Sequence, residues 1–506
     1  MKNNAVFRAA AVFGSDMVLQ RSKPVPVWGT GLPGITVRCT LAGQTAAARA
    51  DGQGRWQLEL PAMPAGGPYT MELSGGEETI RFERVYLGEV WLAGGQSNMD
   101  MKLQDSANGE EELARSRDER VHFYVTPQVS SEGEILEQAE ARTCWNVIGP
   151  ETAANVSAVA YYFARRLAES LNGIHVGVVQ CSWGGTSAAC WMSRRQLDKT
   201  AAGRRCLEEF DQRCAALTPD QYQEQLADYR ARIARWEQTL ARLDREEPQL
   251  SRAEKMARTG DYPWPPPAGP DSFQCSGTLY RTMLRRVCPY GVRGVAYYQA
   301  EEDDPHAEDY AALLGSLIAQ WRSDWKDAEL PFLLVQLPMY GPEGEGLHWP
   351  VLRSAQWSIS RLLRDVELLS LADCGEKNDI HPKDKRTPGR RLAALALDAV
   401  YGLEEGQRSP RARRVEYHPH GATVHFAQCG GGLRLDGEAG FALAGADGVF
   451  HPASPQVEGE QVLLTCSEVE EPCQARYAWY NFGPAPLHSA AGMAAVPFWD
   501  DRGLLR

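Results

Sequence analysis

Compact apolar runs alternate with amphipathic segments over residues 86–404, and this alternation limits the possible folds more than any other feature. The runs that have the length of buried strands are "EVWLAGG", "IHVGVVQCSWGG", "VRGVAYYQAEE" and "PFLLVQLPMYG". Helical periodicity separates them, as in "VSAVAYYFARRLAESLN" and "DYAALLGSLIAQWRSDW". Because strands that alternate with helices pair in parallel, the sequence predicts an α/β domain whose parallel sheet is sandwiched by helices.

Strand-rich segments flank this domain on both sides. Over residues 1–85, stretches such as "RWQLELP" and "YTMELSGG" alternate apolar and polar positions between turn residues, which predicts an N-terminal β-sandwich-like domain. Similar patterns, such as "ATVHFAQC" and "QVLLTCS", predict a C-terminal β-domain over residues 405–506. Within the middle domain, residues of about 194–258 are charge-rich and helical, and "YPWPPPAGP" follows them. We expect an inserted helical hairpin there, for which a solvated lid without chemistry is the ordinary interpretation.

The composition excludes several classes of partner. The 506 residues carry a formal net charge of −13, so a basic face for nucleic acid is not expected. No run approaches the roughly 18 uncharged apolar residues that a membrane span requires. The first twenty residues lack the apolar core of a secretory signal, and the twelve cysteines are scattered. We therefore expect a cytoplasmic protein with reduced thiols, no membrane or nucleic-acid partner and an oligomeric state that the sequence leaves open.

Three of the apolar runs end in polar loops that suit acyl transfer. The first loop, "GGQSNM", contains Ser97, and the second, "SWGGTSAACW", contains Gly184 and Gly185. The third, "YYQAEEDD", contains Gln299 and Glu301. Because ligands of open α/β sheets bind beyond the carboxyl ends of the strands, we expect these loops to converge. A hydroxyl group beside several N–H donors can attack a carbonyl carbon while the donors stabilise the charge on its oxygen.

A serine nucleophile needs a base, and His381 is the candidate among ten histidines. It lies in "CGEKNDIHPKDK", between an apolar run and the helix that ends near Gly402. A lone histidine is more often structural, but the order serine, donors, histidine along an α/β chain favours His381 as the base. The histidines show no H-E-x-x-H or comparable ligand spacing, so no metal is predicted. Serine esterase chemistry implies no organic cofactor either.

These motifs together resemble those of the sialate O-acetylesterase family within the SGNH-type hydrolases. The similar blocks are "GEVWLAGGQSNMDMKL", "SWGGTSAACW", "GVAYYQAEEDD" and "DIHPKDK", in the family's order and with flanking β-segments that also match. The resemblance implies an SGNH-type sheet between two β-domains and a serine esterase that removes O-acetyl groups from carbohydrate. O-acetylated sialic acid is the first substrate to expect, and acetylated xylan or another plant glycan is the alternative.

The resemblance also implies roles for the loop residues. Ser97 is expected to be the nucleophile and His381 the general base. The oxyanion donors would be the Ser97 N–H group, an N–H group of the Gly184–Gly185 pair and the side chain of Gln299.

Three further residues are expected to support the site. Gln96 and Asn98 flank the nucleophile and would hold its loop by hydrogen bonds, and Glu301 is a candidate for substrate binding. The family's Q-G-E-S-N reads "QAEED" here, so Glu302 and Asp303 stand where serine and asparagine are usual. This departure concerns the loop conformation and the substrate contacts more than the oxyanion amide.

The residue that orients His381 is less defined by the sequence. Many SGNH-type hydrolases have an aspartate three residues before the histidine, but that position is Asn378 here and Asp379 lies two before. In an extended segment Asp379 would point to the same side as the ring and hold its tautomer. In a tight turn, a backbone carbonyl or Asp373 would take that role.

Two other classes of protein remain open from the sequence. The chain would be a non-catalytic carbohydrate-binding protein if its esterase site were inactive, or a scaffold if its α/β core were purely structural. The presence of Ser97, Gln299 and His381 together favours the enzyme.

Overall fold

The computed structural model describes residues 7–250, 252–342, 346–437 and 439–505. Its N-terminal part contains two small groups of paired strands. One sheet has the strand order β1-β3-β6, and in the other β5, β4, β7 and β8 pair in sequence. The strands of this part are β1 (Arg8–Ala9), β2 (Val18–Gln20), β3 (Val25–Thr30), β4 (Thr36–Leu41), β5 (Gln44–Arg49), β6 (Arg55–Leu60), β7 (Gly66–Gly75) and β8 (Glu78–Gly95). The last nine residues of β8 are nearly all buried, because this strand continues into the central sheet.

The central sheet has the order β10-β9-β11-β8-β12-β13-β14. Its remaining strands are β9 (Asp118–Val125), β10 (Trp145–Ile148), β11 (Val176–Ser182), β12 (Gly294–Tyr298), β13 (Phe332–Val335) and β14 (Val366–Leu369). All neighbours pair in parallel except β10 and β9, which are antiparallel. The predicted α/β class is therefore confirmed, with an antiparallel edge strand that the sequence pattern did not indicate.

Helices connect and cover these strands. They are α1 (Ser97–Asp100), α2 (Gly109–Ala114), α3 (Glu134–Glu140), α4 (Ala158–Ser170), α5 (Arg194–Leu197), α6 (Ala201–Ala215), α7 (Pro219–Glu246), α8 (Arg252–Thr259), α9 (Arg285–Val287), α10 (Tyr310–Trp325), α11 (Trp349–Leu362) and α12 (Arg386–Ala399). Short 3-10 segments cover Leu103–Asp105, Ala188–Trp191 and Glu301–Asp309, and Tyr280–Leu284 is a π-helical turn. Helix α4 packs against α12, and α10 packs against α11. Within the described residues, none of the helices combines the length and apolar character that crossing a membrane requires.

The register of the central sheet brings the three polar loops together. Gly95 at the end of β8 lies opposite Ser182 at the end of β11 and opposite Tyr298 at the end of β12. The loops that begin at residues 96, 183 and 299 therefore start side by side at one edge of the sheet. This is the convergence that the sequence predicted.

The segment of about 194–258, where an insertion was predicted, contains helices α5 to α8. A capping box starts α7, in which the side chains of Thr218 and Gln221 each accept a hydrogen bond from the other's backbone N–H group. Most of α7 is exposed, and its few buried residues include Tyr222 and Tyr229. After α8 the chain runs back towards the polar loops through residues 262–274, so the segment does not remain apart from the sheet edge.

The elements of the C-terminal part, over its described residues, are all strands. They are β15 (Arg411–His418), β16 (Gly421–Ala427), β17 (Leu433–Leu435), β18 (Phe441–Ala444), β19 (Phe450–Pro452), β20 (Ser454–Glu458), β21 (Gln461–Thr465), β22 (Gln474–Tyr477), β23 (Leu487–Ser489), β24 (Phe498–Asp501) and β25 (Leu504–Leu505). They form sheets of the orders β15-β16-β21-β20, β17-β23 and β19-β18-β22-β24-β25. Ser370 anchors this part to the central domain by donating a hydrogen bond to the Ala495 carbonyl oxygen. All twelve cysteines of the chain are free thiols.

Candidate active site

Ser97 is presented by a sharp turn at the end of β8. Gly95 has a φ of +137°, and a Cβ atom there would lie 2.0 Å from the Tyr298 carbonyl oxygen, so only glycine fits. The next residue, Gln96, donates its backbone N–H group to that same carbonyl oxygen at 3.1 Å. The chain then starts α1 with Ser97, whose Oγ lies 2.8 Å from Nε2 of His381.

His381 lies in the loop between β14 and α12, where its ring is largely buried. Burial, and then the positive charge of Lys385, lower the pKa of His381 to about 4, although Asp379 acts in the opposite direction. The ring is therefore neutral at pH 7, which is the state that can accept a proton. A neutral imidazole at hydrogen-bond distance from a serine hydroxyl is the arrangement that activates a serine nucleophile.

Asp379 contacts the backbone of His381 rather than its ring. Its Oδ1 atom accepts a hydrogen bond from the His381 backbone N–H group at 2.8 Å, which is an Asx turn. Of the two alternatives left open by the sequence, the structure has the turn, because the side chain of Asp379 folds back to close it. Asp373 is occupied by Arg391 at 2.7 Å and by His488 at 3.2 Å. Among the described residues, neither carboxylate hydrogen bonds with the His381 ring.

The glycine loop packs directly against the nucleophile. A Cβ atom placed on Gly184 would lie 3.3 Å from Cβ of Ser97, so the two residues are in contact. Burial raises the pKa of Asp100, whose carboxylate accepts hydrogen bonds from Gln128, Ser182 and the Gly184 N–H group. Which N–H group of the Gly184–Gly185 pair donates to the oxyanion stays a prediction.

Ser97 itself supplies a second N–H group. It is the first residue of α1, and the first N–H groups of a helix have no acceptor within the helix. The backbone of a nucleophile at such a position can donate to the oxygen of the carbonyl group that it attacks.

Gln299 braces the three loops, and its role as the third oxyanion donor stays a prediction. The side chain is fully buried, and its Nε2 atom lies 3.1 Å from Gln96 Oε1, 3.2 Å from the Thr186 carbonyl oxygen and 2.5 Å from Asp303 Oδ2. The Oε1 atom of Gln299 accepts a hydrogen bond from the Tyr310 hydroxyl group at 3.0 Å. Because one amide group has only two hydrogens, these acceptors already account for its donor capacity.

Asn98 connects the nucleophile helix to the histidine loop. Its Nδ2 atom donates to Glu301 Oε1 at 2.5 Å and to the Ile380 carbonyl oxygen at 3.0 Å. Its Oδ1 atom accepts from Lys385 Nζ at 2.5 Å. The amide therefore lies between a buried carboxylate and a buried ammonium group, and it contacts the residue that precedes His381.

Asn98 contacts Glu301, which the sequence assigned to substrate binding, and Lys385, which the sequence did not single out. Glu301 is buried, which raises its pKa, and its second oxygen accepts a hydrogen bond from the Ala300 N–H group. Both oxygens of its carboxylate thus accept hydrogen bonds within the protein, and its role in substrate binding stays a prediction. Burial lowers the pKa of Lys385 to about 8. The only sequence signal for Lys385 was its place in "DIHPKDK", four residues after His381.

A cavity of about 620 Å³ lies between the helical insertion and the second and third loops. Burial raises the pKa of Glu302 to about 7 and that of Asp303 to about 6. Glu302 is close to the nucleophile loop, because its backbone N–H group donates to Gln96 Oε1 at 3.1 Å. The residues that line the cavity are Ser187, Cys190, Cys206, Glu209, Gln212, Arg213, Ala216, Gln274, Ser276, Glu302, Asp303, Pro305 and His306. Over the described parts of the chain, no group of three or more histidine, cysteine or acidic side chains is arranged to hold a metal ion.

A parallel α/β sheet with a serine after one strand and a histidine paired with it before the last helix defines an SGNH-type carboxylic ester hydrolase. Comparison with known proteins agrees with this class. Residues 266–398 match the family model described as carbohydrate esterase, sialic acid-specific acetylesterase. Over these residues the chain is similar to the sialic acid-specific acetylesterases among the carbohydrate esterases.

Individual relatives cover most of the chain. The sialate O-acetylesterase of Mus musculus is 26% identical over 431 residues, which are 78% of this chain and 74% of that protein. The protein of the same name from Homo sapiens is 25% identical over 434 residues, with coverages of 78% and 71%. The crystal structure of a carbohydrate acetylesterase from Xanthomonas citri is 28% identical, covers 98% of this chain and 99% of its own, and superimposes with a TM-score of 0.76.

Proposed function

We propose that this esterase removes O-acetyl groups from O-acetylated sialic acid. The observation that carries the proposal is the 2.8 Å contact between Ser97 Oγ and His381 Nε2, in a chain that matches the sialic acid-specific acetylesterase model. The names of the curated relatives support the same substrate class.

The reaction follows from the positions of the side chains. His381 accepts the proton of the Ser97 hydroxyl group while the oxygen attacks the acetyl carbonyl carbon. The N–H group of Ser97 and one N–H group of the Gly184–Gly185 pair stabilise the negative charge on the carbonyl oxygen. The sugar oxygen leaves with the proton from His381, and Ser97 retains the acetyl group. A water molecule then attacks the acetyl-serine with His381 again as the base, and acetate is released.

Acetylated xylan or another neutral plant glycan is a second candidate, and the charge beside the site favours it. Glu302 and Asp303 lie in the third loop, and Glu302 contacts Gln96, the neighbour of the nucleophile. A sialic acid carries a carboxylate, which carboxylates of the protein repel, whereas a xylan chain carries none at its acetylated units.

The test compares acetate release from O-acetylated sialic acids and from acetyl-xylo-oligosaccharides. Ser97→Ala is expected to lower kcat by roughly 10⁴-fold or more on every substrate that the wild type hydrolyses. Ser323→Ala is the matched control, because this serine is exposed in the last turn of α10, at the end of the helix away from the third loop. A Ser97→Ala variant that keeps more than a tenth of the turnover contradicts the mechanism. If only the acetyl-xylo-oligosaccharides are hydrolysed, acetylated xylan is the substrate and the proposal of sialic acid is wrong. If no acetylated sugar releases acetate, the chain is better explained as a carbohydrate-binding protein.

A further inference from the structure

The segment that follows the helical insertion returns to the nucleophile. A Cβ atom on Gly185, which has a φ of +67°, would lie 2.0 Å from the indole ring of Trp264, so the ring lies directly on this glycine. The preceding residue, Gly184, is in contact with Ser97. Trp264 therefore contacts Gly185, and the neighbouring Gly184 contacts the nucleophile Ser97.

Trp264 is part of a row of aromatic rings along the glycine loop. Its ring centroid lies 6.3 Å from that of Phe273, and Phe273 stacks on Trp183 at 4.7 Å with an interplanar angle of 9°. Nevertheless, 44% of Trp264 is exposed to solvent. An exposed indole fixed beside a reactive group is typical of a binding surface, because the ring offers a large apolar area with few torsions to restrict.

The same loop also forms the edge of the cavity. Gln274, the residue after Phe273, donates hydrogen bonds to the Gly185 carbonyl oxygen at 2.9 Å and to Glu302 Oε1 at 3.1 Å. Gln274 and Glu302 both line the cavity. The exposed indole and the cavity thus adjoin the same stretch of backbone.

The cavity contains a buried acceptor that lacks a donor. Asp303 is fully buried, and its Oδ2 atom accepts hydrogen bonds from the Ala188 N–H group and from Gln299. Its Oδ1 atom has no hydrogen-bond partner among the described residues. An unsatisfied buried polar atom costs about 1–3 kcal/mol. Glu302 also lines the cavity and adds a second carboxylate, so the cavity is suited to a ligand rich in hydrogen-bond donors.

We propose that the helical insertion completes the binding site for the sugar unit that carries the acetyl group, with a pyranose ring packed on Trp264 and its hydroxyl groups donating to the carboxylates of the cavity. A pyranose has an apolar C–H face and a hydroxylated rim, which match an indole face beside a row of acceptors. The volume of about 620 Å³ lies within the range of roughly 300–1,000 Å³ that is usual for small-molecule pockets. This inference rests on the proposed function and adds the residues that select the sugar.

The experiment compares Trp264→Ala, Trp264→Phe and the control Tyr262→Ala. Tyr262 is 48% exposed, belongs to the same segment and contacts Trp236 instead of the glycine loop. Acetate release is measured from an O-acetylated sugar that the wild type hydrolyses and from ethyl acetate, which has no ring to stack. For Trp264→Ala, the ratio of kcat/KM for the sugar ester to kcat/KM for ethyl acetate is expected to fall about tenfold, mainly through KM. Trp264→Phe restores most of this ratio, and Tyr262→Ala keeps it within twofold.

Direct binding separates failure of this inference from failure of the proposed function. Calorimetric titration of Ser97→Ala with the acetylated sugar measures affinity without turnover, and adding Trp264→Phe or Trp264→Ala should weaken it progressively. If Trp264→Ala lowers kcat/KM equally for both esters, or leaves the affinity unchanged, Trp264 only supports Gly185 and the inference is wrong. If the wild type binds the sugar through Trp264 but releases no acetate, the inference holds and the proposed reaction fails.

Discussion

Replacing Asp379 distinguishes support of the histidine loop from orientation of the histidine ring. In the structure, Asp379 Oδ1 accepts the His381 backbone N–H group at 2.8 Å. The side-chain oxygen of asparagine can accept the same hydrogen bond, so Asp379→Asn preserves the turn. Asp379→Ala removes the acceptor altogether.

The expected magnitudes follow from this contact. A hydrogen bond to a charged group contributes about 1.5–3 kcal/mol. If the whole of that energy positions His381 in the transition state, Asp379→Ala lowers kcat by roughly 10- to 150-fold. Asp379→Asn should lower kcat by no more than about threefold. An aspartate that held the ring nitrogen would instead lose about 10⁴-fold on conversion to asparagine, as in the serine proteases.

The assay is kcat for acetate release at pH 8, with the melting temperature of each variant as the check on folding. Asp373→Asn is the matched control, because Asp373 is engaged by Arg391 and His488 and not by His381. A loss of more than 100-fold for Asp379→Asn at an unchanged melting temperature would refute the reasoning. It would mean that the carboxylate moves to the ring when substrate binds.

Three further predictions concern the same site. The kcat/KM of the wild type should stay level from pH 8 to about 5 and fall about tenfold per pH unit below 4, since the pKa of His381 is lowered to about 4 and only the neutral ring accepts a proton; an inflection near pH 6.5 would contradict this. Lys385→Met should move the acid limb of the pH profile to higher pH, because Lys385 lowers the pKa of His381. It should also lower the melting temperature, because buried Glu301 loses its cation. An acid limb at an unchanged pH would exclude the electrostatic role of Lys385. Gly185→Ala should destabilise the fold by about 1–2 kcal/mol from its positive φ alone and raise KM for the sugar ester by displacing Trp264, whereas a neutral substitution in a melting and kinetic assay would contradict the contact.

The sequence predicted the sheet and the meeting of its loops, because both depend on local patterns. Apolar runs of strand length identify buried strands, and glycines after them mark where the chain turns. The pairing of Ser97 with His381 follows from that topology, and the structure places them within 2.8 Å, although their catalytic roles stay predictions. The cytoplasmic location, the proposed division into domains and the absence of a cofactor also stay predictions.

The directions of polar side chains within the loops were not predictable in the same way. Asp379 closes a turn, and Gln299 donates to the partners that surround it, because each side chain follows whichever acceptor or donor the fold brings near. Glu301 was assigned to substrate, but Lys385 and Asn98 from distant parts of the chain form a buried polar group with it. Sequence periodicity indicated the helices of the insertion but carried no information on where Trp264 would return.

Strand β8 links the N-terminal sheets to the turn that presents Ser97. It is a single strand from Glu78 to Gly95 that pairs with β7 and β2 at its start and with β11 and β12 at its end. The predicted domain boundary at residues 85 and 86 falls inside it. The strand is irregular close to this boundary, because Arg84 has a φ of +52° and the register with β7 shifts between Tyr69 and Met71. A deletion of residues 1–85 would remove β7 and the first eight residues of β8, so the N-terminal sheets cannot be separated from the turn at Gly95 without cutting one strand.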